Sequence, residues 1–347
     1  MNMTIHNLQN VAIFASPLYG YYSSVAEAFS SNGCKVSVRV HGKYSRFIKL
    51  PILGIMLERI FKFIDTQLHF RYLMANIEKY DMILLFGYYL FSPQHIARIR
   101  KTSNTHIVFW AFDSIHNRFK KDGYEIISSC PIILCYNQED ESELNELGYF
   151  ARFTPLAYDE NVYFPLKPLT YDIDIYFIGA LKSRVEFLNT YIREMKDSKV
   201  KFQIDGKLGL WYIFKNKQRY PFFFKYYTGE KKTSKQINKL YNSSRICLNI
   251  QPQQATSGFS IRTYEINGAG GLQLCNGNKM LLNSLYQGNV DYIYYQSIEE
   301  LVNCSKTILE NYENYRPVRE SAHRKSLLAH TYNVRVGEIL TFVNELS

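Results

Sequence analysis

Between Ser257 and Glu265 the chain reads SGFSIRTYE, a set of residue types suited to an anion and a polyol. Gly258 lets a ligand approach the backbone closely. The run leaves the apolar segment RICLNI through QPQQATSGFS and is predicted to enter a helix near Ser260. That helix ends at Gly268 or Gly270, where glycine suits a left-handed cap. Arg262 can neutralise phosphate charge through a bidentate contact. At about 1.5 Å of rise per residue, Glu265 stands roughly 6–8 Å along the helix, the reach from a bound diphosphate to a ribose. Its carboxylate can accept from both ribose hydroxyls, and Ser257, Phe259, Ser260 and Thr263 complete the candidate contact set. A capped amphipathic helix showing one Arg and one Glu to solvent uses the same residues, so the segment by itself leaves both readings open.

A second candidate is the turn Gly179 to Arg184, GALKSR. Ser183 stands where a helix N-cap is expected, and Lys182 and Arg184 flank free N–H groups and the positive end of a helix dipole, which suits an anion. A solvated basic turn is the alternative. In the first turn of the chain Gly20 is the only glycine, so the GxGxxG fingerprint of a dinucleotide fold is missing, which speaks against a nicotinamide or flavin enzyme. The triplet Asp172-Ile-Asp174 opens a strand and so falls at the end away from a ligand edge, as polarity rather than a metal site. No His/Cys cluster has metal-ligand spacing, and no metal is expected. His95, His106 and His323 read as ordinary surface or core residues.

These residues need a frame. NVAIFAS, then a helix stopped by Asn32-Gly33, then KVSVRV make a β-α-β unit and imply a parallel sheet. YDMILLFG, THIVFWAF and PIILCYN follow as strands, with helices near 66–80, 91–100 and 138–148. A second series starts at YDIDIYFIGA and continues through SRVEFLNTYIREM, VKFQIDG, a helix near 234–243, RICLNI, GGLQLC and VDYIYY. The expected fold is α/β with two doubly wound domains, residues 1–165 and 166–325, and a C-terminal helix at 326–347 that crosses back to the first. The join falls near YDENVYFPLKPLTYD, which carries Pro165 and Pro168. Ligands of open parallel sheets bind beyond the carboxyl ends of the strands, so two such domains predict an interdomain cleft. The turns to inspect in the first domain are Ser16 to Gly20, Phe86 to Tyr89 and Phe112 to His116.

A chain of 347 residues suits two domains, and 46% apolar with 21% charged residues is a globular composition. Its 29 Tyr and 23 Phe suit sugar or base stacking but equally a bulky core. The formal charge of +10 points to an anionic partner; no nucleic-acid-binding signature is present, which leaves a lipid surface or phosphorylated small molecules. Six scattered cysteines without a CxxC pair read as reduced core residues of a cytoplasmic protein, and no signal peptide or membrane span is evident. Residues 43–73 interleave Lys43, Arg46, Lys49, Arg59, Lys62 and Arg71 with Phe, Ile, Leu and Met, and contain only the acids Glu58 and Asp65. This predicts either an anionic membrane interface at the inner face of the membrane, or a core helix whose cationic stems snorkel to water.

The segments DIDIYFIGALKSR, LYNSSRICLNI, SGFSIRTYEINGAGGLQL and HTYNVRVGEIL, with weaker echoes in FWAFDS and FTPLAYDENVYFP, cover most of residues 106–340. Their order and wording resemble GT-B glycosyltransferases of the CgeB-like (spore maturation protein) branch, related to the glycosyl transferases group 1 set. The resemblance implies two Rossmann-like domains, a nucleotide-sugar donor on the second and an acceptor on the first, with Tyr19, Gly20, Gly87 and Tyr88 on the acceptor side. It implies transfer to a saccharide or lipid-linked glycan in cell-surface polysaccharide synthesis. No metal is then needed, because Arg262, Lys182, Arg184 and the helix N-terminus neutralise the leaving diphosphate. Asp113, with His116 as substitute, stands where a general base would act in an inverting reaction; in a retaining one it would orient the acceptor, and an ordinary helix cap is the alternative. The group places two glutamates eight positions apart around a Gly-Phe. Glu265 matches the second, which contacts ribose, but Ser257 occupies the first. That departure keeps open a non-catalytic nucleotide- or glycan-binding module and a nucleotide-sugar epimerase.

Overall fold

The computed structural model describes residues 8–17, 20–42, 51–87, 91–115, 127, 129–167, 170–196, 199–251 and 257–346. The chain divides into two compact units, one of residues 1–156 with 332–347, the other of 157–331.

In the first unit β1 (Asn10–Ala15), α1 (Tyr21–Ser31), β2 (Lys35–Val40), α2 (Pro51–Ala75), β3 (Met82–Phe86), α3 (Pro93–Thr102), β4 (His106–Trp110), β5 (Ile132–Cys135), α4 (Gln138–Glu146) and β6 (Ala151–Phe153) follow in order. The strands form one parallel sheet in the order β2-β1-β3-β4-β5-β6. Helices cover a parallel sheet on both faces, so its central strands are continuous apolar runs: every residue of β3 is buried, as are Val11–Ala15 and Ile107–Trp110. The Asp81 carboxylate accepts from the amides of Gln9 and Asn10 at 2.9 and 2.8 Å, pinning the start of β1 beside that of β3. Gly20, at φ 83°, turns the chain into α1, and Gly33, at φ 87°, turns it out.

Two elements of the first unit differ from the sequence pattern. The basic, apolar stretch that periodicity begins near residue 66 is a 25-residue helix from Pro51, because proline is well placed in a helix's first turn. The short strand β6 has no counterpart in the pattern; three residues are too few to show an alternation.

The second unit contains β7 (Ile173–Ile178), α5 (Val185–Glu194), β8 (Phe202–Asp205), α6 (Leu210–Asn216), α7 (Pro221–Tyr226), α8 (Ser234–Asn242), β9 (Ser244–Asn249), α9 (Ile261–Gly268), β10 (Gln273–Cys275), α10 (Lys279–Leu285), β11 (Ile293–Tyr294), α11 (Ile298–Glu310) and α12 (Arg316–Ala329). Its parallel sheet runs β11-β10-β9-β7-β8. The proline-bearing stretch after Tyr158 is tied to α8 by amides of Phe164 and Leu166 that donate to Asn238 and Asn242 at 3.2 and 2.8 Å. A last helix, α13 (Tyr332–Asn344), belongs to the first unit and packs on α1, where Asn32 Nδ2 donates to Asn333 Oδ1 at 2.8 Å.

Helix α9 ends at Gly268, and Gly270 follows at φ 71°. The Tyr158 ring lies against Gly268 so closely that a Cβ there would fall inside its van der Waals envelope. Gly268→Ala is therefore expected to destabilise the second unit by about 1–3 kcal/mol through overpacking. Chemical denaturation measures it, and an unchanged midpoint would mean that the ring moves aside freely.

Candidate anion-binding site in the second unit

All strands of the second sheet run parallel, so the turns that follow β7, β8, β9, β10 and β11 leave from one edge. Gly206, after β8, has φ 146°, and a Cβ on it would lie 2.5 Å from the Gly179 carbonyl oxygen. Glycine at 206 thus lets the end of β8 close on the turn 179–184. Gly179 is itself crowded, since its Cβ would meet the Phe177 ring at 3.2 Å.

Arg184, not Ser183, occupies the N-cap of α5, and no side chain caps that helix. Lys182 and Ser183 point to solvent, whereas Arg184 is buried, at 8% exposure. Its amide donates to the Leu181 carbonyl at 2.7 Å, and Nη1 donates to Ala180 O at 2.6 Å. Among the described residues no carboxylate pairs with it. Burial lowers its pKa, yet a guanidinium remains charged, so a desolvated cation stands at a helix start with donors to offer. Tyr295, one residue after β11, interacts electrostatically with Arg184. Its hydroxyl is buried without a partner among the described residues, and burial holds its pKa well above the usual value, which keeps the proton on the oxygen. A guanidinium with donors to spare and a phenol that interacts with it electrostatically make a place for an anion.

Helix α9 is held by buried amides. Thr263 Oγ1 accepts from Asn249 Nδ2 at 3.0 Å and Gln251 Nε2 at 2.9 Å, and Gln251 Oε1 accepts from the Ser260 amide at 3.0 Å. Gln273, bonded to Asn249, donates to Asn267 at 3.0 Å. Ends of β9 and β10 are thereby clamped to both ends of the helix. Asn249, Gln251 and Gln273 escape a reading of the sequence because amides within or just beyond apolar strands look like noise until their partners are known. The Thr263 hydroxyl faces this network.

Glu265 is fully buried and accepts from Arg262 Nη1, which also reaches Tyr241 OH at 3.5 Å. This excludes the solvated Arg–Glu face that the pattern allowed. It also reverses the order of the phosphate candidates: Arg262 has a carboxylate three residues on, and Arg184 has none among the described residues. Ser257, Gly258 and Phe259 are buried, and Ser260 is the N-cap of α9. Cys247 and Cys275, in β9 and β10, are pushed up to about 12 by burial and hold no thiolate. Asp174 accepts from the Lys201 amide at 2.8 Å and from Arg245 at 3.2 Å, at the start of β7.

In the first unit Gly87 follows β3, where a Cβ would meet Ser16 Oγ at 3.2 Å, and Asp113 follows β4, half-buried. The amide of Ile115 is taken by the buried Asp140 at 2.9 Å, with Ser114 Oγ donating to the same carboxylate at 3.2 Å, so the capping position at Ile115 is Asp140's. Tyr19, Tyr88 and His116 lie outside the described residues.

Residues 184–341 match the family model described as Glycosyl transferase-like. The match covers this stretch and not the rest of the chain, so it is this stretch that is similar to the family. It begins at the buried arginine and includes the whole of α9. No curated protein sequence matches the chain. Solved structures do. Sucrose-phosphate synthase (tll1590) from Thermosynechococcus elongatus superposes with a TM-score of 0.71 at 12% identity over 98% of this chain and 100% of that one. A glycosyltransferase from Rickettsia africae gives 0.67 at 12% over 98% and 99%, and Anabaena Alr3699/HepE in complex with UDP gives 0.62 at 11% over 96% and 100%. The fold is α/β with two Rossmann-like parallel-sheet units, the GT-B class, and together with the domain match it supports a transferase. The CgeB-like branch is not separately marked by these matches.

The amide clamp carries its own expectation. Thr263→Val keeps the shape of the side chain but leaves the Asn249 and Gln251 amides without their acceptor, which costs about 1–3 kcal/mol. A urea titration reads the loss; a change below the error of the midpoint would show that the amides find other acceptors.

Proposed function

We propose that the chain transfers a sugar from a nucleotide-diphosphate donor to a saccharide or lipid-linked glycan in cell-surface polysaccharide synthesis, with the donor diphosphate held at Arg184. The observation that carries this reading is the buried, uncompensated guanidinium beside the Tyr295 hydroxyl. A leaving diphosphate gains charge as the glycosidic bond breaks, and a preorganised, desolvated cation stabilises that charge. Transfer then needs no metal at the donor. Glu265, oriented by Arg262, is the ribose acceptor of the reading, and Asp113 the acceptor-side group. HepE, solved with UDP, makes uridine diphosphate sugars the first donors to try. The serine at 257 supports two other outcomes, a binding module and an epimerase.

A panel of UDP, GDP, ADP, CMP and dTDP sugars separates them: released nucleotide marks a transferase, binding without turnover a module, and an isomerised sugar an epimerase. Arg184→Ala is expected to lower kcat by roughly 10²–10³-fold. Glu265→Ala is expected to raise donor KM more than it lowers kcat, since ribose contacts are equal in ground and transition states. Wild-type kinetics in both folded variants would remove the donor from this site.

A lipid-linked acceptor calls for a membrane surface, and two exposed apolar sets support one. On α2, Ile60, Phe63, Ile64 and Leu68 are exposed near Lys62 and Arg71; Lys43, Arg46, Lys49 and the Arg59 side chain lie outside the described residues. On α6, Leu210, Trp211 and Phe214 are 86%, 75% and 80% exposed, among the exposed Lys207, Lys215, Lys217 and Arg219 in a stretch without acids. Among the described residues no helix is long and apolar enough to cross a membrane, so contact would be interfacial. The other tryptophan, Trp110, is fully buried, so a change of emission on adding vesicles reports on Trp211. Anionic vesicles should shift it to the blue, neutral vesicles should not, and Trp211→Phe should abolish the shift. Sedimentation with the same vesicles tests α2, through Lys62→Glu with Arg71→Glu. Equal recovery from both lipids with unchanged emission would refute the interface.

A further inference from the structure

Three residues far apart in the sequence converge in the first unit. His41 is the first residue after β2, and Asp65 and His69 sit one turn apart on α2, on the same face of the helix. His41 Nδ1 lies 2.7 Å from Asp65 Oδ2, and His69 Nε2 lies 3.5 Å from Asp65 Oδ1. One nitrogen or oxygen of each residue falls within 4.8 Å of the other two. We propose that His41, Asp65 and His69 form a binding site for a divalent transition-metal ion of the zinc type, a clip that ties α2 to the edge strand β2.

Donor atoms around a tetrahedral ion with bonds of about 2.1 Å stand about 3.4 Å apart, so the observed spacing needs only small side-chain movements to close on an ion. Two imidazoles and a carboxylate are the donor set that zinc and other first-row divalent ions take, with remaining positions left to water. The surroundings favour an ion over a simple hydrogen-bonded trio. Asp65 and His69 are both 7% exposed, and among the described residues no lysine or arginine pairs with Asp65. The buried carboxylate thus faces two imidazoles and, among the described residues, no cationic side chain, and a divalent cation supplies the missing charge. His69 approaches Asp65 at a distance outside a good hydrogen bond. Support around the trio is in place: the Gly42 amide donates to Asp65 Oδ2 at 3.2 Å, Gly42 takes φ 85° against Pro17, and the His69 ring packs at 5.9 Å from Phe14 of β1. His41 stands 24 positions before Asp65, so the three ligands share no compact spacing in the sequence.

The test uses the full chain after chelation and dialysis. Titrated with Zn2+, the wild type should take up one equivalent and gain thermal stability, since an ion bound only to the folded state raises the midpoint. Co2+ should give the visible d–d bands of a four- or five-coordinate site. Asp65→Asn and His69→Asn should each weaken Zn2+ binding by more than about 100-fold, beyond the usual effect of losing a supporting residue. If circular dichroism shows either variant unfolded, His41→Gln, which leaves α2 intact, carries the comparison. A wild type that takes up neither ion, or uptake and bands unchanged in the folded variants, overturns the proposal. Donor turnover plays no part in this readout.

Discussion

Parallel pairing is the constraint on which both units depend. Each unit has one sheet whose strands all run the same way, so every strand delivers its last residue to one edge and the chain must leave the sheet there. Strand ends that are buried cannot leave backbone and side-chain polar groups without partners. In the second unit the answer at β9 and β10 is a linked set of amides and one hydroxyl, Asn249, Gln251, Thr263, Gln273 and Asn267, which at the same time sets where α9 begins. At β7 the answer is different. The turn 179–184 is closed by backbone bonds and by the approach of Gly206, and its arginine is left with a single carbonyl.

Buried charge separates scaffold from site. Glu265 has Arg262, Asp291 has Lys325 and Ser321, and Arg335 has Glu338. Asp140 and Asp205 accept from hydroxyls and amides within their own units. These charges are matched by the chain itself and hold its elements together. Arg184 is buried with a phenol and a carbonyl for company, and Asp65 with two imidazoles. A protein interior tolerates such groups where something from outside completes them, which makes incomplete compensation a better guide to a site than the residue type alone.

The strands were legible in the residues, because strand formation in a covered parallel sheet needs only a local apolar run: β1 to β5, β7, β8, β10 and β11 each fall within a segment read from the sequence, and β9 starts one residue before its segment. So were the start of α9 near Ser260 and its end near Gly268 and Gly270, since caps and left-handed glycines act over a few residues. Where α2 begins was not legible, because a proline at a helix start looks the same in the sequence as one that breaks it. Which arginine lacks a carboxylate was equally closed to the sequence, as were the amides that hold α9 and the meeting of His41 with Asp65 and His69. Periodicity and capping are short-range properties, written in neighbouring residues. Burial, counter-charge and convergence are set by residues tens of positions apart, and only the folded chain brings those within reach of each other.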